Sequence, residues 1–201
     1  MHRPHTKEEL ANLVNDRSVN LASIDTSLIT DMSMLFRFSD RTDFAGIENW
    51  DVSSVTDMAY MFCGVKSFNH PLNDWDVSNV TDMAYMFCGA EKFNQSLNDW
   101  DVSSVADMTE MFSRAKSFNQ SLNDWDVSSV KNADCMFKNA RGYDGSMKKW
   151  KFSDSMDHEP EDFIKGCFMW TLLNSCNDLP LIPFKQRKVS PPKQKIKFNV
   201  L

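Results

Sequence analysis

The sequence predicts an α/β solenoid, a right-handed stack of short parallel strands and short helices closed by a cap at each end. Three observations carry that prediction. Trp50, Trp75, Trp100, Trp125 and Trp150 recur at a fixed interval of 25 residues. A unit that short cannot bury its own apolar side chains and must lean on its neighbours. Within each unit the apolar residues follow two periods in succession, which separates one kind of element from another.

The first period is two. In Leu72-Asn73-Asp74-Trp75-Asp76-Val77-Ser78, Trp75 and Val77 alternate with Asp74, Asp76 and Ser78, as in a half-buried strand. The second is close to three and a half: Val80, Met83, Met86 and Phe87 fall on one face of a short helix of about two turns. Ser54, Asn79, Ser104 and Ser129 stand three residues before Asp57, Asp82, Asp107 and Asn132, and three of these four pairs resemble a capping box at the helix start. Gly64 and Gly89 follow the helix, where a left-handed residue would turn the chain, and Arg114 and Asn139 hold the same column further on. A loop beginning Phe93-Asn94-Gln95 returns to the next strand.

The chain divides into four parts. Residues 1–20 form an N-terminal cap: Thr6 with Glu9 makes a capping box, and Leu10, Leu13 and Val14 follow at helical spacing, so a helix is expected over 7–15. Residues 21–158 are the repeat, about five units and a final strand. Its first row, Ile24 to Phe36, is degenerate, with Ile24 in the Trp column. Trp50 follows Ile24 by 26 residues, which places a bulged loop in 37–43. Residues 159–183 form a second cap, with a helix opening at Pro160-Glu161-Asp162. Residues 184–201 are a Pro- and Lys-rich tail whose composition points to extended or disordered chain.

Charge is unevenly placed. Phe184 onward holds six cations and no Asp or Glu, so the net charge of −6 divides into −12 for the body and +6 for the tail. Such a body is a poor partner for nucleic acid. If Trp and Val face inward, then Asp51, Asp74, Asp76, Asp99, Asp101, Asp124 and Asp126 project together as two columns of like charge, bordered by Ser78 and Ser103 in a serine column. These nine residues are the candidate binding face. They would serve to cap backbone amides and solvate an edge, or to attract a protein partner with a basic surface. Parallel columns do not converge as calcium requires, so no metal is expected.

Other columns read as architecture. Asn69, Asn94 and Asn119 would turn inward to satisfy loop amides, and the Met and Phe columns are core. Tyr60 and Tyr85 share a variable, exposed column with Glu110 and Cys135. Five cysteines form no disulfide or zinc framework, although Cys63 and Cys88 lie one repeat apart. The four histidines have no metal spacing, and nothing assembles a nucleophile, base and oxyanion site. No catalytic residue, cofactor or metal is expected, and a monomer is. The enzyme alternative would rest on the second cap, with Cys167 or His158 as its reactive group.

Leu72-x-x-Trp75-x-Val77-x-x-Val80 matches the strand grammar of leucine-rich repeats. More narrowly, Trp-Asp-Val-Ser-Ser-Val-Thr-Asp-Met-Ala-Tyr-Met-Phe (50–62) and Ser-Phe-Asn-Gln-Ser-Leu-Asn-Asp-Trp (117–125) resemble the BspA-like leucine-rich-repeat surface proteins of bacteria, whose 25-residue repeat is known from mycoplasma lipoproteins. The resemblance spans Ile24 to Trp150. It implies a leucine-rich-repeat-like solenoid, a cell-surface location and, for some members, an adhesin role; it supplies no catalytic residues. The polar start Met1-His2-Arg3-Pro4-His5 carries no secretory signal and no apolar stretch spans a membrane, which favours the cytoplasm instead.

Overall fold

The structure is a computed structural model, and it describes residues 1–144 and Trp150. The expectations for the last strand at 150–153, the second cap at 159–183, the tail, His158, Cys167 and Cys176 lie outside the described residues.

Helix α1, Lys7–Asn15, stands where the capping box places it: the Thr6 side chain accepts from the Glu9 amide at 3.2 Å, and the His5 amide donates to Glu9 at 2.7 Å. Its buried residues Leu10 and Val14 join the same apolar core as the repeat rows. The extra residue of the first row is absorbed where expected. There Arg41 turns inward, 7% exposed, and its guanidinium donates to the Val14 carbonyl at 3.0 Å, the Val19 carbonyl at 3.1 Å and the Asp43 carbonyl at 2.6 Å.

The elements within each row differ from the expectation. Among the described residues α1 is the only α-helix; two short 3-10 turns occur at Leu21–Ser23 and Ile47–Asn49. The helix expected from Val80 to Phe87 and the strand expected around Trp75-Asp76-Val77 are not formed. Each row is instead a string of tight turns. In the row after Leu72, the amides of Trp75, Val80, Met86, Cys88, Ala90 and Phe93 donate three residues back, to the carbonyls of Leu72, Val77, Met83, Tyr85, Phe87 and Ala90. Apart from Tyr85 and Cys88, the residues bracketing these turns are buried. A turn sends its first and fourth residues the same way, so apolar side chains recur every three residues, as they would on a helix.

The remaining amides explain why no helix forms. Met83, Tyr85, Phe87 and Gly89 donate to the next row, to the carbonyls of Asp107, Thr109, Met111 and Ser113, at 2.7–2.9 Å. A helix would claim those amides for carbonyls four residues back. The row therefore alternates, one amide spent within the turn and the next spent on the neighbour. Tyr60, Tyr85, Glu110 and Cys135 make this possible by adopting φ of 48–61°, and the second left-handed column follows four residues later: Gly64 and Gly89 (76° and 71°), then Arg114 and Asn139 (59° and 60°). Isolated parallel bridges run Asp31, Asp57, Asp82, Asp107, Asn132, in the segment read as helix.

Two aromatic columns fill the interior. Phe36, Phe62, Phe87, Phe112 and Phe137 stack with centroids 5.5–5.6 Å apart. Phe68, Phe93, Phe118 and Tyr143 stack at 5.7–5.9 Å, and each ring lies 4.0–4.1 Å from its partner in the first column. The Trp column closes the core edge. The indoles of Trp75, Trp100, Trp125 and Trp150 donate to the carbonyls of Ile47, Leu72, Leu97 and Leu122 in the row above, at 2.7–3.1 Å, so the large ring is buried with its one polar atom satisfied. Among the described residues no helix is long and apolar enough to cross a membrane.

An acidic face with a half-buried carboxylate column beside it

The sequence-predicted face is brought together although its strand is not. Asp51, Asp74, Asp76, Asp99, Asp101, Asp124 and Asp126 are all exposed, and Trp75, Trp100 and Trp125 are buried between their flanking acids. Burial thus keeps the period of two through chain that is extended but unpaired in any sheet.

In one column the aspartate works locally. The Oδ1 atoms of Asp51, Asp76, Asp101 and Asp126 accept the amides of Ser53, Ser78, Ser103 and Ser128 at 3.0–3.1 Å, and Ser53 and Ser78 add their hydroxyls at 2.6 Å. These bonds start the turn that carries the chain into the next segment. They also hold Asp76 and Asp126 below the ordinary carboxylate range, first through the serine hydroxyl and then through its amide, so both stay charged at neutral pH. Ser78 and Ser103 are therefore turn partners of the acids, half-buried at the border of the face.

The other column is tied by asparagines. Asn73 Nδ2 donates to Asp74 at 2.9 Å, and Asn98 Nδ2 reaches across to Asp124 in the next row at 2.8 Å. With rows rising by the 5.5–5.6 Å of the phenyl stack, like charges in a column repel by about 0.7 kcal/mol in bulk water, less in salt. Turn hydrogen bonds of about 1 kcal/mol each are enough to hold the columns in place.

A further acidic column contains the acids expected at the helix starts, Asp57, Asp82 and Asp107, and extends to Asp31 in the first row. Asp31, Asp57, Asp82 and Asp107 line the bridges, half-buried, and their Oδ1 atoms accept the amides of Ser33, Ala59, Ala84 and Thr109 at 2.8–2.9 Å. Lys7 Nζ meets Asp31 at 2.9 Å, and Asn132 Nδ2 meets Asp107 at 3.1 Å. Burial first, and then the charges of Asp57 and Asp107, raise Asp82 above its ordinary range. The acid in each row was legible, but its role is that of a turn residue.

The asparagine ladder forms with one correction. The amides of Asn94, Asn119 and Asp144 donate to the side-chain carbonyls of Asn69, Asn94 and Asn119, one row above, at 2.8–3.0 Å. The side chains lie at the surface rather than inward, where Gln95 and Gln120 also reach them at 3.0 Å.

Sequence reasoning did not assemble one cluster in the first rows. Met34 and Phe38 are exposed, at 50% and 67%, and both have left-handed backbone. The Arg37 guanidinium lies 4.9 Å from the Phe38 ring and 5.2 Å from Tyr60, which stacks on Tyr85 at 4.5 Å. The irregular spacing of the first row hides the columns that join these residues. Among the described residues no three His, Cys, Asp or Glu side chains converge as metal ligands.

A family model described as "Mycoplasma protein of unknown function, DUF285" matches residues 8–103 and again 74–164. No curated protein and no solved structure matches the chain.

Proposed function

The chain belongs to that family of mycoplasma proteins of unknown function, and from this premise we propose that it is a noncatalytic protein-interaction module of the BspA-like leucine-rich-repeat type. Its body is a solenoid, and its acidic face binds a protein partner with a basic surface, in the manner of a surface adhesin. The observation that carries the reading is the pair of exposed carboxylate columns, Asp74, Asp99, Asp124 and Asp51, Asp76, Asp101, Asp126, repeated on successive rows. Repetition gives an extended cationic surface several equivalent contacts at once, which raises avidity without a deep pocket. Two further features support it: equivalent residues hydrogen-bond row to row, and the body is acidic beyond the formal balance of the whole chain.

The test uses immobilised polylysine as the probe and the variant Asp74→Asn/Asp76→Asn/Asp99→Asn/Asp101→Asn. Asparagine keeps an acceptor for the turn amides while removing charge. Binding is expected to fall at least tenfold in the variant, and to weaken for the parent as salt rises from about 0.1 M to about 1 M and the screening length shrinks from about 10 Å to about 3 Å. Unchanged binding by a variant with the parental circular dichroism would overturn the reading. Fractionation of cells carrying the untagged chain tests the adhesin role separately: exposure to external protease supports it, and confinement to the cytosol removes it.

A further inference from the structure

One side-chain column is chemically unlike the rest. Arg37, Cys63, Cys88 and Ser113 occupy equivalent places on four successive rows. The backbone clamps them in register, since the Phe38 amide donates to the Cys63 carbonyl and the Gly64 amide to the Cys88 carbonyl, both at 2.7 Å. The rows rise here by the 5.6 Å of the adjoining Phe62–Phe87 stack, inside the span of about 4.4–6.8 Å that a disulfide bridges between α-carbons. The two thiols are free, with Cys63 at 6% exposure and Cys88 half-buried.

From this geometry we infer that Cys63 and Cys88 form a peroxide-reactive dithiol, which closes to an intrachain disulfide between adjacent rows, with Arg37 positioned to hold the attacking thiolate. The Cys63 thiolate sulfur attacks one peroxide oxygen. The O–O bond breaks, the departing hydroxide takes a proton to become water, and Cys63 is left as a sulfenic acid. Cys88 then loses its proton and attacks that sulfur; the S–S bond forms, the S–O bond breaks and a second water leaves. Two thiols and one hydrogen peroxide become one disulfide and two waters.

The surroundings favour this order of attack. The Cys88 hydrogen bond, and after it Arg37, bring Cys63 down to about 7 against the opposing effects of burial and Glu110. Cys88 is pushed up by the Cys63 thiolate it donates to, by burial and by Glu110, while Ser113 acts the other way. Tyr60 and Tyr85 stack on one another at 4.5 Å on the rows that carry Cys63 and Cys88, and the Arg37 guanidinium lies 5.2 Å from the Tyr60 ring. A low-lying thiolate next to a resolving thiol is the arrangement that captures a sulfenic acid before it oxidises further.

The full chain, reduced and then treated with a slight excess of hydrogen peroxide, is expected to lose the mass of two hydrogen atoms, with Cys63 and Cys88 joined in one peptide. Cys88→Ser should instead trap Cys63 as a sulfenic acid that reacts with dimedone, and Arg37→Gln should slow oxidation and alkylation of Cys63 by roughly two- to fivefold at pH 7 as the thiolate fraction falls. Circular dichroism of each variant confirms that the fold is kept. The inference is overturned by a bridge to Cys135, Cys167, Cys176 or a second chain, by sulfinic acid at Cys63 in the parent without a bridge, or by oxidation rates indifferent to Arg37.

Discussion

Removing the Phe87 ring is the sharpest test of how the rows hold together. Phe87 is fully buried and lies 5.6 Å from both Phe62 and Phe112, 4.1 Å from Phe93 and 6.4 Å from Trp100. Phe→Ala in a core costs about 3–5 kcal/mol through lost burial and the cavity left behind. The rings around this site are backed by their own stacked neighbours and cannot collapse inward, and aromatic pairs add about 0.5–1.5 kcal/mol each beyond burial. Phe87→Ala should therefore fall at the upper end, about 4–5 kcal/mol, a large share of the 5–15 kcal/mol typical of a domain. Urea unfolding followed by tryptophan fluorescence measures it. Phe38→Ala, at 67% exposure, is the control and should change stability by no more than about 0.5 kcal/mol. A loss under about 2 kcal/mol for Phe87→Ala, or equal losses for the two variants, would refute the stacked-column reasoning.

Two further outcomes are expected. Arg41→Ala should cost about 2–4 kcal/mol, because it strips donors from the carbonyls of Val14, Val19 and Asp43 where α1 meets the first row; the same urea titration checks it. Asp82→Asn should stabilise the protein at neutral pH. The folded state raises Asp82 through burial and the flanking charges of Asp57 and Asp107, so it binds a proton more readily than the unfolded chain, and the ionised form weakens the fold at high pH. As pH falls through the raised folded value and then below 3.8, that penalty disappears and the variant's advantage should fade; stability curves at pH 7 and pH 3.5 read the difference.

Much of this architecture was legible because burial, unlike hydrogen bonding, is written directly in residue type. The Trp interval set the row length, the alternation around Trp75 separated buried from exposed side chains, and Thr6 with Glu9 located α1. The elements inside the rows were not legible, for a definite reason. Val80, Met83 and Met86 recur every three residues whether the backbone coils as a helix or runs through consecutive turns, because both bring the fourth residue back to the side of the first. What decides between them is where the amides of Met83, Tyr85 and Phe87 go, and those partners lie on the next row. The left-handed column at Tyr60 and Tyr85 was hidden as well, since tyrosine carries no sign of positive φ as Gly64 and Gly89 do. At the face, the exposed acids were identified from their alternation, whereas their local partnership with Ser53 and Ser78 requires knowing that a turn follows.

The central claim is that the rows are equivalent, in-register layers, and removal of one whole layer tests it most directly. Deleting residues 76–100 joins Trp75 to Asp101 and keeps the 25-residue register, whereas deleting 76–87 breaks it. Because each layer contacts only its neighbours, the whole-row deletion should retain the parental circular dichroism per residue and a cooperative, if lower, urea transition, while the half-row deletion should lose both. A whole-row deletion as disordered as the half-row deletion would contradict the account.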